Sequence, residues 1–196
     1  MKLPSPKLDS DFSLEKAISL RRSIRGYAEA PLMLSHLSQL IWAAQGITSP
    51  EGLRACPSAG ATYPLEIYLA AASITDLQAG VYHYAGRTHE LSLISAGDKR
   101  PALAQAALGQ SMIEDAPLSI ILAAVSARTS RRYGSRAPRY VAMEAGHAAQ
   151  NVYLQATALG LGTVVIGAFA DAEVSRILGL GEAEPLYIMP IGVQES

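Results

Sequence analysis

Apolar residues recur at helical spacing in five parts of the chain. The spacing predicts helices that begin after Ser13 and Ser35, a helix from residue 98 to about 109, a long helix from about 139 to 159, and a helix from 171 to 179. Ser13, Ser35 and Asp171 are residue types that cap helix N-termini, so we expect each to cap its helix. Gly46 follows the second helix, and we expect it to end that helix in the left-handed conformation.

Short runs rich in β-branched and aromatic residues lie between these helices. They predict strands at 65–72, 118–125, 163–166 and 186–191, and a hairpin formed by 81–84 and 90–94. Residues 118–125 are apolar almost throughout, which indicates a central strand buried on both faces. Helices and strands do not alternate regularly, so we predict a single α+β domain over 1–196, with an antiparallel or mixed sheet around the long helix.

Two polar segments are predicted to be loops. Residues 48–64 contain five residues that favour turns, namely Pro50, Gly52, Pro57, Gly60 and Pro64. Residues 126–138 contain four arginines, and a fifth follows at position 139. A loop as long as the first one often carries function.

Composition narrows the class of protein. Hydrophobic residues make up 49% of the chain and charged residues 17%, so either the core is large or another subunit covers apolar surface. A net charge of -1 argues against a general nucleic-acid binder. The single cysteine, Cys56, excludes an internal disulfide and favours a reducing compartment. No apolar stretch is long enough for a membrane helix and no signal peptide is visible, so we expect a cytoplasmic protein without a membrane or nucleic-acid partner.

The run Arg21-Arg22-Ser23-Ile24-Arg25 carries three guanidinium groups and a hydroxyl beside the first predicted helix. Arginine donates two parallel hydrogen bonds to phosphate, and serine adds another donor. Residues 57–64 form a small-residue turn between two prolines, where the backbone can lie against a planar ligand. Together the two runs indicate a site for a phosphate-bearing cofactor with a ring system. The alternative for the arginine run is a solvated helix C-terminus, where positive charge is favourable without a ligand.

Other candidate motifs favour structural roles. Glu144 and His147 share one face of the long helix, but a di-iron bundle needs two such motifs, so we expect no metal site and a buried, hydrogen-bonded His147. Gly160 and Gly162 follow a helix and precede a strand, so they stop the helix and do not bind a dinucleotide. Cys56 has no plausible base nearby, and we expect a loop thiol without a catalytic role.

Six short motifs follow one another along the chain. They are Arg-Arg-Ser-Ile-Arg at 21–25, Pro-Ser-Ala-Gly-Ala-Thr-Tyr-Pro-Leu-Glu at 57–66, Gly-Val-Tyr-His-Tyr at 80–84, Arg-Tyr-Gly at 132–134, Glu-Ala-Gly-His-Ala-Ala-Gln-Asn at 144–151, and Leu-Gly-Leu-Gly-Thr-Val-Val-Ile-Gly-Ala-Phe at 159–169. In this order they resemble the FMN-dependent nitroreductase superfamily, and within it the branch of SagB-type and thiazole/oxazole-forming dehydrogenases. The resemblance runs from about residue 14 to residue 193.

The resemblance implies the nitroreductase α+β fold, with a mostly antiparallel central sheet flanked by helices. It implies an interlocked homodimer with two FMN sites at the subunit interface. By the matching motifs, the FMN phosphate and ribityl chain would be held by Arg21, Arg22, Ser23 and Arg25. The ring would lie against Pro57, Ser58, Ala59 and Gly60, contributed by the other subunit. A backbone N–H from Ile166, Gly167 or Ala168 would face flavin N5, and Gln155 and residues 161–163 would line the same pocket.

Two departures from the family pattern bear on activity. Members that oxidise azolines carry a Lys-Tyr pair where this chain has Arg132 and Tyr133. Arginine cannot act as a base at neutral pH, because its pKa lies above about 12. Many nitroreductases also have a basic phosphate ligand near the C-terminus, which here reads Gln194-Glu195-Ser196. Phosphate binding would therefore depend more on the arginines at 21–25.

The resemblance implies an FMN-dependent oxidoreductase that takes hydride from NADH or NADPH and reduces a small planar acceptor, such as a nitroaromatic compound or a quinone, by a ping-pong mechanism. Two alternatives stay open: an azoline dehydrogenase of a peptide-modification pathway, and a non-catalytic flavin-binding protein. Because a flavin carries its own redox chemistry, no side chain is required as a catalytic group. Tyr133 is the one candidate for a catalytic side chain.

Overall fold

Residues 1–195, which the computed structural model describes, form a six-stranded sheet with helices on both faces. The strands are Leu65–Ala71 (β1), Gly80–Ala85 (β2), Glu90–Ala96 (β3), Leu118–Ala124 (β4), Leu161–Thr163 (β5) and Glu184–Val193 (β6). Their order across the sheet is β3-β2-β1-β4-β6-β5, and every neighbouring pair is antiparallel. The predicted α+β class and the antiparallel sheet are confirmed.

Strand β4 lies in the middle of the sheet, as its apolar run predicts. All seven of its residues are buried. Ile120 and Leu122 belong to one hydrophobic core, and Ile121 and Ala123 belong to a second core on the other face. This alternation is the two-residue period of a strand, and it explains why both sets of side chains must be apolar.

Helices cover both faces of the sheet. They are Leu14–Leu20 (α1), Leu34–Gln45 (α2), Arg100–Ala106 (α3), Met112–Asp115 (α4), Ala127–Tyr133 (α5), Ala137–Ala158 (α6) and Asp171–Leu178 (α7). Buried residues of α2 and α6 share the first core with Ile120, whereas those of α3, α4 and α7 belong to the second core. Among the described residues, no helix combines the length and apolar character needed to cross a bilayer.

The predicted helix caps are confirmed only in part. The Ser13 hydroxyl accepts a hydrogen bond from the third amide of α1 at 3.2 Å, as expected of an N-cap. Met33 and Ala170 occupy the N-cap positions of α2 and α7. Ser35 and Asp171 therefore lie inside the first turn, and the prediction that they cap these helices was wrong.

The expected left-handed ending at Gly46 was also wrong, because its φ of -65° and ψ of 152° are extended. A Cβ atom at this position would lie 2.0 Å from the Trp42 ring, so glycine is needed for space rather than for its backbone conformation. Gly179, by contrast, ends α7 in the left-handed conformation, as that motif predicts.

The largest departure from the sequence prediction lies in residues 126–138. This segment is helical, because α5 and a short 3-10 turn at Gly134–Arg136 fill it. Thr129 is the one buried residue of α5. A helix without an apolar stripe gives no periodic signal, which is why the sequence suggested a loop.

Smaller departures occur near two other elements. The helix expected over 98–109 ends at Ala106, and the short α4 follows it unpredicted. The strand expected at 163–166 is instead β5, which lies two residues earlier. It includes Gly162, where a Cβ atom would lie 2.6 Å from the Ile24 side chain. Further along, Ile166 forms only a single bridge, with Ile188.

Candidate functional site

The arginine segment 21–25 follows α1 and lies against the C-terminal half of α6. The Arg21 guanidinium carbon lies 5.1 Å from the centre of the Tyr153 ring, a cation–π contact. Arg22 donates to the carbonyl oxygens of Ser19 and Arg21 at 3.1 and 2.7 Å, which is how a cation stabilises a helix C-terminus. Arg22 and Arg25 are nevertheless exposed, so both guanidinium groups can be reached by an anion.

Tyr153 links this segment to the chain that follows β5. Its phenol oxygen lies 3.0 Å from the Ser23 hydroxyl and accepts the backbone N–H of Val165 at 2.9 Å. Either hydroxyl can donate in this pair, and when Tyr153 donates, the Ser23 proton is free for a ligand. The Ile24 amide also donates to the Thr163 carbonyl at 2.9 Å, so the two segments lie side by side.

The segment 166–168 offers backbone donors at the same place. Ile166 and Ile188 exchange two backbone hydrogen bonds of 2.9 Å, so the Ile166 amide is already used. Gly167 and Ala168 are exposed, and within residues 1–195 their amides have no protein acceptor. Of the three amides predicted to face a flavin, these two are available.

Gln155 lies on the other side of α6 from Tyr153, because residues two apart on a helix do not face each other. Its side-chain oxygen accepts a hydrogen bond from Gln39 at 3.1 Å. Gln39 in turn is held by both backbone groups of Lys7. Gln155 borders a cavity of about 490 Å³ that is also lined by Trp42. The structure thus separates Gln155 from the arginine segment within one chain.

The loop at 57–64 has an unusual backbone. Gly60, Ala61 and Tyr63 have φ values of 58°, 53° and 47°, in the left-handed region. For Ala61 and Tyr63 this conformation costs about 1–2 kcal/mol each, so surrounding contacts must hold it. Within the loop, the Ser58 hydroxyl accepts the Tyr63 amide at 2.9 Å.

Helix α5 supplies contacts to this loop. Arg128 donates to the Tyr63 carbonyl oxygen at 3.1 Å, and Arg132 donates to the Gly60 carbonyl oxygen at 3.1 Å. The hydroxyls of Thr129 and Thr62 lie 2.9 Å apart. Two of the four arginines in segment 126–138 are therefore bound to the loop.

Glu66 connects α5 to the sheet through one ion pair and one hydrogen bond. The carboxylate of Glu66 binds Arg128 at 2.5 Å through one oxygen and His83 at 2.6 Å through the other. Burial alone would raise the pKa of Glu66, but the bonds from His83 and Arg128 outweigh it and leave the pKa below its usual value. Glu66 and His83 lie in two of the sequence motifs, but nothing in the sequence pairs them with Arg128, because the three residues come from β1, β2 and α5.

Glu144 and Cys56 lie behind the loop. Cys56 is fully buried and its thiol contacts the carbonyl oxygens of Pro57 and Glu144 at 3.5 Å. Burial raises the pKa of Cys56 to about 12, so the thiol stays protonated and is a poor nucleophile. Glu144 is 3% exposed, and burial raises its pKa, while Ser58 and Arg54 act in the opposite direction.

The exposure of His147 contradicts one prediction from the sequence. It is exposed on α6, whereas Glu144, one turn before it, is buried. The expected buried, hydrogen-bonded histidine was therefore wrong. The apolar positions of α6 place Glu144 on the inner face, and residue 147 falls just outside that face.

The predicted cofactor residues form two groups within one chain. Tyr153 and Thr163 tie Ser23 and Ile24 to the chain just before segment 166–168. Residues 57–60, by contrast, lie near Glu144. Glu144 and Tyr153 are nine residues apart on α6, a rise of about 14 Å. One chain alone therefore does not bring the loop onto the arginine segment.

The chain matches known proteins along almost its whole length. A model described as the nitroreductase family matches residues 18–193. Over 192 residues the chain is 46% identical to MJ1384 of Methanocaldococcus jannaschii, which is named as a nitroreductase, and the match covers 98% of this chain and 96% of the relative. A nitroreductase-like crystal structure from Ralstonia eutropha JMP134 superposes with a TM-score of 0.87, at 30% identity, over 100% of this chain and 89% of that one.

A more distant relative is the microcin B17-processing protein McbC of Escherichia coli. It is 27% identical over 146 residues, which are 71% of this chain and 54% of McbC. The chain thus spans about half of that relative. The full-length family match and the close M. jannaschii relative agree with the fold, and the chain therefore belongs to the nitroreductase family and is an oxidoreductase.

Proposed function

We propose that this protein is an FMN-dependent oxidoreductase, active as a homodimer, that takes hydride from NADH or NADPH and reduces a small planar acceptor such as a nitroaromatic compound or a quinone by a ping-pong mechanism. The observation that carries the proposal is the hydrogen-bonded link from Ser23 through Tyr153 to Val165. It ties the arginine segment to Val165, two residues before the exposed Gly167 and Ala168. Donors suited to a phosphate and donors suited to a flavin ring are thus parts of one rigid unit.

The free donors of this unit fit FMN. When bound, FMN supplies the atom that accepts the hydride. The residues of this chain would bind and orient the FMN. The exposed guanidinium groups of Arg22 and Arg25 suit a phosphate dianion, and the Ser23 hydroxyl adds a further polar group. The amides of Gly167 and Ala168 are fixed dipoles that stabilise negative charge on a ring without a side-chain acid.

In this proposal a second copy of the chain completes each site. Loop 57–64, which lies near Glu144 about 14 Å along α6 from Tyr153, would serve the site of the other subunit, as the family resemblance implies. Leu14, Ile18 and Met143 are 60%, 56% and 46% exposed on α1 and α6, two helices that pack side by side. Exposed apolar side chains of this size suit an interface.

The visible absorption spectrum of the purified protein, followed under anaerobic NADPH and then NADH, tests the proposal. A yellow protein that bleaches with either nicotinamide supports it. A yellow protein that bleaches with neither would indicate azoline oxidation or a non-catalytic flavin-binding role. A colourless protein that also fails to take up added FMN contradicts FMN dependence.

A second candidate function is azoline oxidation within the SagB-type branch. The observation that favours it is the position of Tyr133, whose hydroxyl lies 2.5 Å from where a Cβ atom on Gly60 would be, so this tyrosine contacts the proposed ring-binding loop. The partial match to McbC agrees with it. Arg132 counts against it, because its guanidinium is bound to the Gly60 carbonyl and cannot act as a base. Oxidation of a thiazoline peptide without added NAD(P)H would establish this second function.

A further inference from the structure

We propose that helix α5 is a clamp that holds loop 57–64 in its left-handed conformation, and that Arg132 positions the loop through the Gly60 carbonyl. Arg132 is then a positioning residue for the ring-binding loop. The identity of the ring as FMN rests on the proposed function, but the clamp itself concerns only residues of this chain.

The sheet places the loop and the helix next to each other. The loop runs directly into β1, and α5 begins just after β4, the strand paired with β1. Leu65 pairs with Ala124 at the ends of these strands, and the Val125 amide donates to the Pro64 carbonyl oxygen at 2.9 Å. Loop 57–64 and α5 therefore adjoin the two central strands, β1 and β4, at the same end of these strands, and hydrogen bonds fix both positions.

Helix α5 contacts loop residues that have a left-handed backbone. Its bonds from Arg132 and Arg128 reach the carbonyl oxygens of Gly60 and Tyr63, which are the first and last left-handed residues of the loop. Thr129, buried between the two arginines, binds the Thr62 hydroxyl. A strained backbone persists only where its surroundings fix it, and these side chains fix both ends of the strained stretch.

The fit is close as well as polar. A Cβ atom on Gly60 would lie 2.5 Å from the Tyr133 hydroxyl and 3.0 Å from two atoms of Arg132. Glycine at position 60 is thus required twice, by its positive φ and by the space that α5 occupies. Helix α5 thus leaves room only for backbone at position 60.

The competing explanation is that the arginines of α5 act only through their charge. Arg131 and Arg132 are adjacent in sequence and both exposed, but only Arg132 has a bond to the loop. Arg131→Ala is therefore a matched control, because it removes the same charge from the same helix without removing the contact. Charge alone predicts equal effects of the two substitutions, whereas the clamp predicts an effect of Arg132→Ala alone.

Hydrogen–deuterium exchange of the full chain without FMN tests the clamp. The amides of Ala61, Thr62 and Tyr63 donate within the loop, to the Ser58 carbonyl, the Ala59 carbonyl and the Ser58 hydroxyl, so their exchange reports loop opening. We expect Arg132→Ala to speed their exchange about tenfold, the loss of one charge-assisted bond, and Arg131→Ala to leave it unchanged. Exchange in β1 serves as the reference for global stability.

A second readout is the dissociation constant of FMN, measured by quenching of flavin fluorescence. We expect Arg132→Ala to weaken FMN binding and Arg131→Ala to leave it within twofold. Equal exchange rates in both variants, or equal acceleration in both, would overturn the clamp. Wild-type protein that binds no FMN would overturn the proposed cofactor, while the exchange comparison would still decide the clamp.

Discussion

The hydroxyls of Ser23 and Tyr153 lie 3.0 Å apart, although the two residues are 130 positions apart in the chain. The same Tyr153 oxygen accepts the Val165 amide, so one phenol joins the arginine segment, helix α6 and the chain after β5. Tyr153 is 9% exposed, which protects these bonds from water. The relative positions of the proposed phosphate and ring donors therefore depend on this side chain together with the backbone bond from Ile24 to Thr163.

Replacing Tyr153 with phenylalanine removes that link and keeps the ring. We expect the free energy of unfolding to fall by about 1 kcal/mol, because the partly buried Val165 amide loses its acceptor, and FMN binding to weaken about tenfold. Tyr82→Phe is the control, since it loses a hydroxyl bond to the Gln78 carbonyl far from this segment. Urea unfolding and FMN titration check both variants, and equal FMN affinities would contradict the role assigned to Tyr153.

Arg22→Ala tests the placement of the phosphate. The guanidinium of Arg22 is exposed and contacts only carbonyl oxygens of its own helix end, so its loss should leave folding nearly unchanged. Loss of one charge-assisted phosphate contact is expected to weaken FMN binding roughly ten- to a hundredfold. Arg87→Ala, an exposed arginine in the turn between β2 and β3, controls for net charge. Unaltered FMN retention in Arg22→Ala would place the phosphate elsewhere.

The sequence predicted the central elements because their burial is local and repetitive. In β4 every residue is apolar, and in α6 buried residues such as Val141, Ala145, Ala148 and Val152 recur at helical spacing. Helix α5 lacked such a pattern, because its contacts are hydrogen bonds to a loop some 65–72 residues earlier in the chain. Hydrophobic periodicity predicts a helix that packs an apolar face against the core, but it does not detect a helix whose contacts are polar bonds to a loop.

In the candidate site, too, the sequence predicted what short local motifs carry and missed contacts between distant segments. The arginine segment and residues 166–168 could be picked from short motifs, and the structure brings them together. The link through Tyr153 could not, because a buried tyrosine on a long helix looks like any core residue until its partners are known. The pairing of Glu66 with Arg128 and His83 was hidden for the same reason, since three elements supply its members.

The buried carboxyl of Glu144 predicts a pH-dependent stability. Burial raises its pKa in the folded chain, so between the ordinary pKa and the raised value the folded state binds more protons than the unfolded state. The contribution of Glu144 is then fully present below its ordinary pKa and is lost as pH rises through the folded pKa. Glu144→Gln removes this loss, and we expect the stability of the variant relative to wild type to increase as the pH rises above the ordinary carboxyl pKa of about 4.5.

Urea unfolding of wild type and Glu144→Gln across that pH range measures the effect as a difference, so the other titrating groups cancel. Glu182→Gln, at an exposed turn before β6, is the control and should track wild type. A difference between wild type and Glu144→Gln that is flat with pH would show that Glu144 stays ionised in the folded chain.

Gly146 offers the sharpest test of the proposed homodimer. It lies in the middle of α6, is exposed, and has no atom within 4 Å of where a Cβ would be, so nothing in the described part of the chain requires glycine there. In a monomer, Gly146→Ala should raise the free energy of unfolding by up to about 1 kcal/mol, because alanine favours the helix. In a dimer whose α6 faces meet closely at this point, the added methyl groups should instead weaken association. Sedimentation over a range of concentrations separates the two results. An Ala variant that is more stable and associates as wild type does would place position 146 outside the interface.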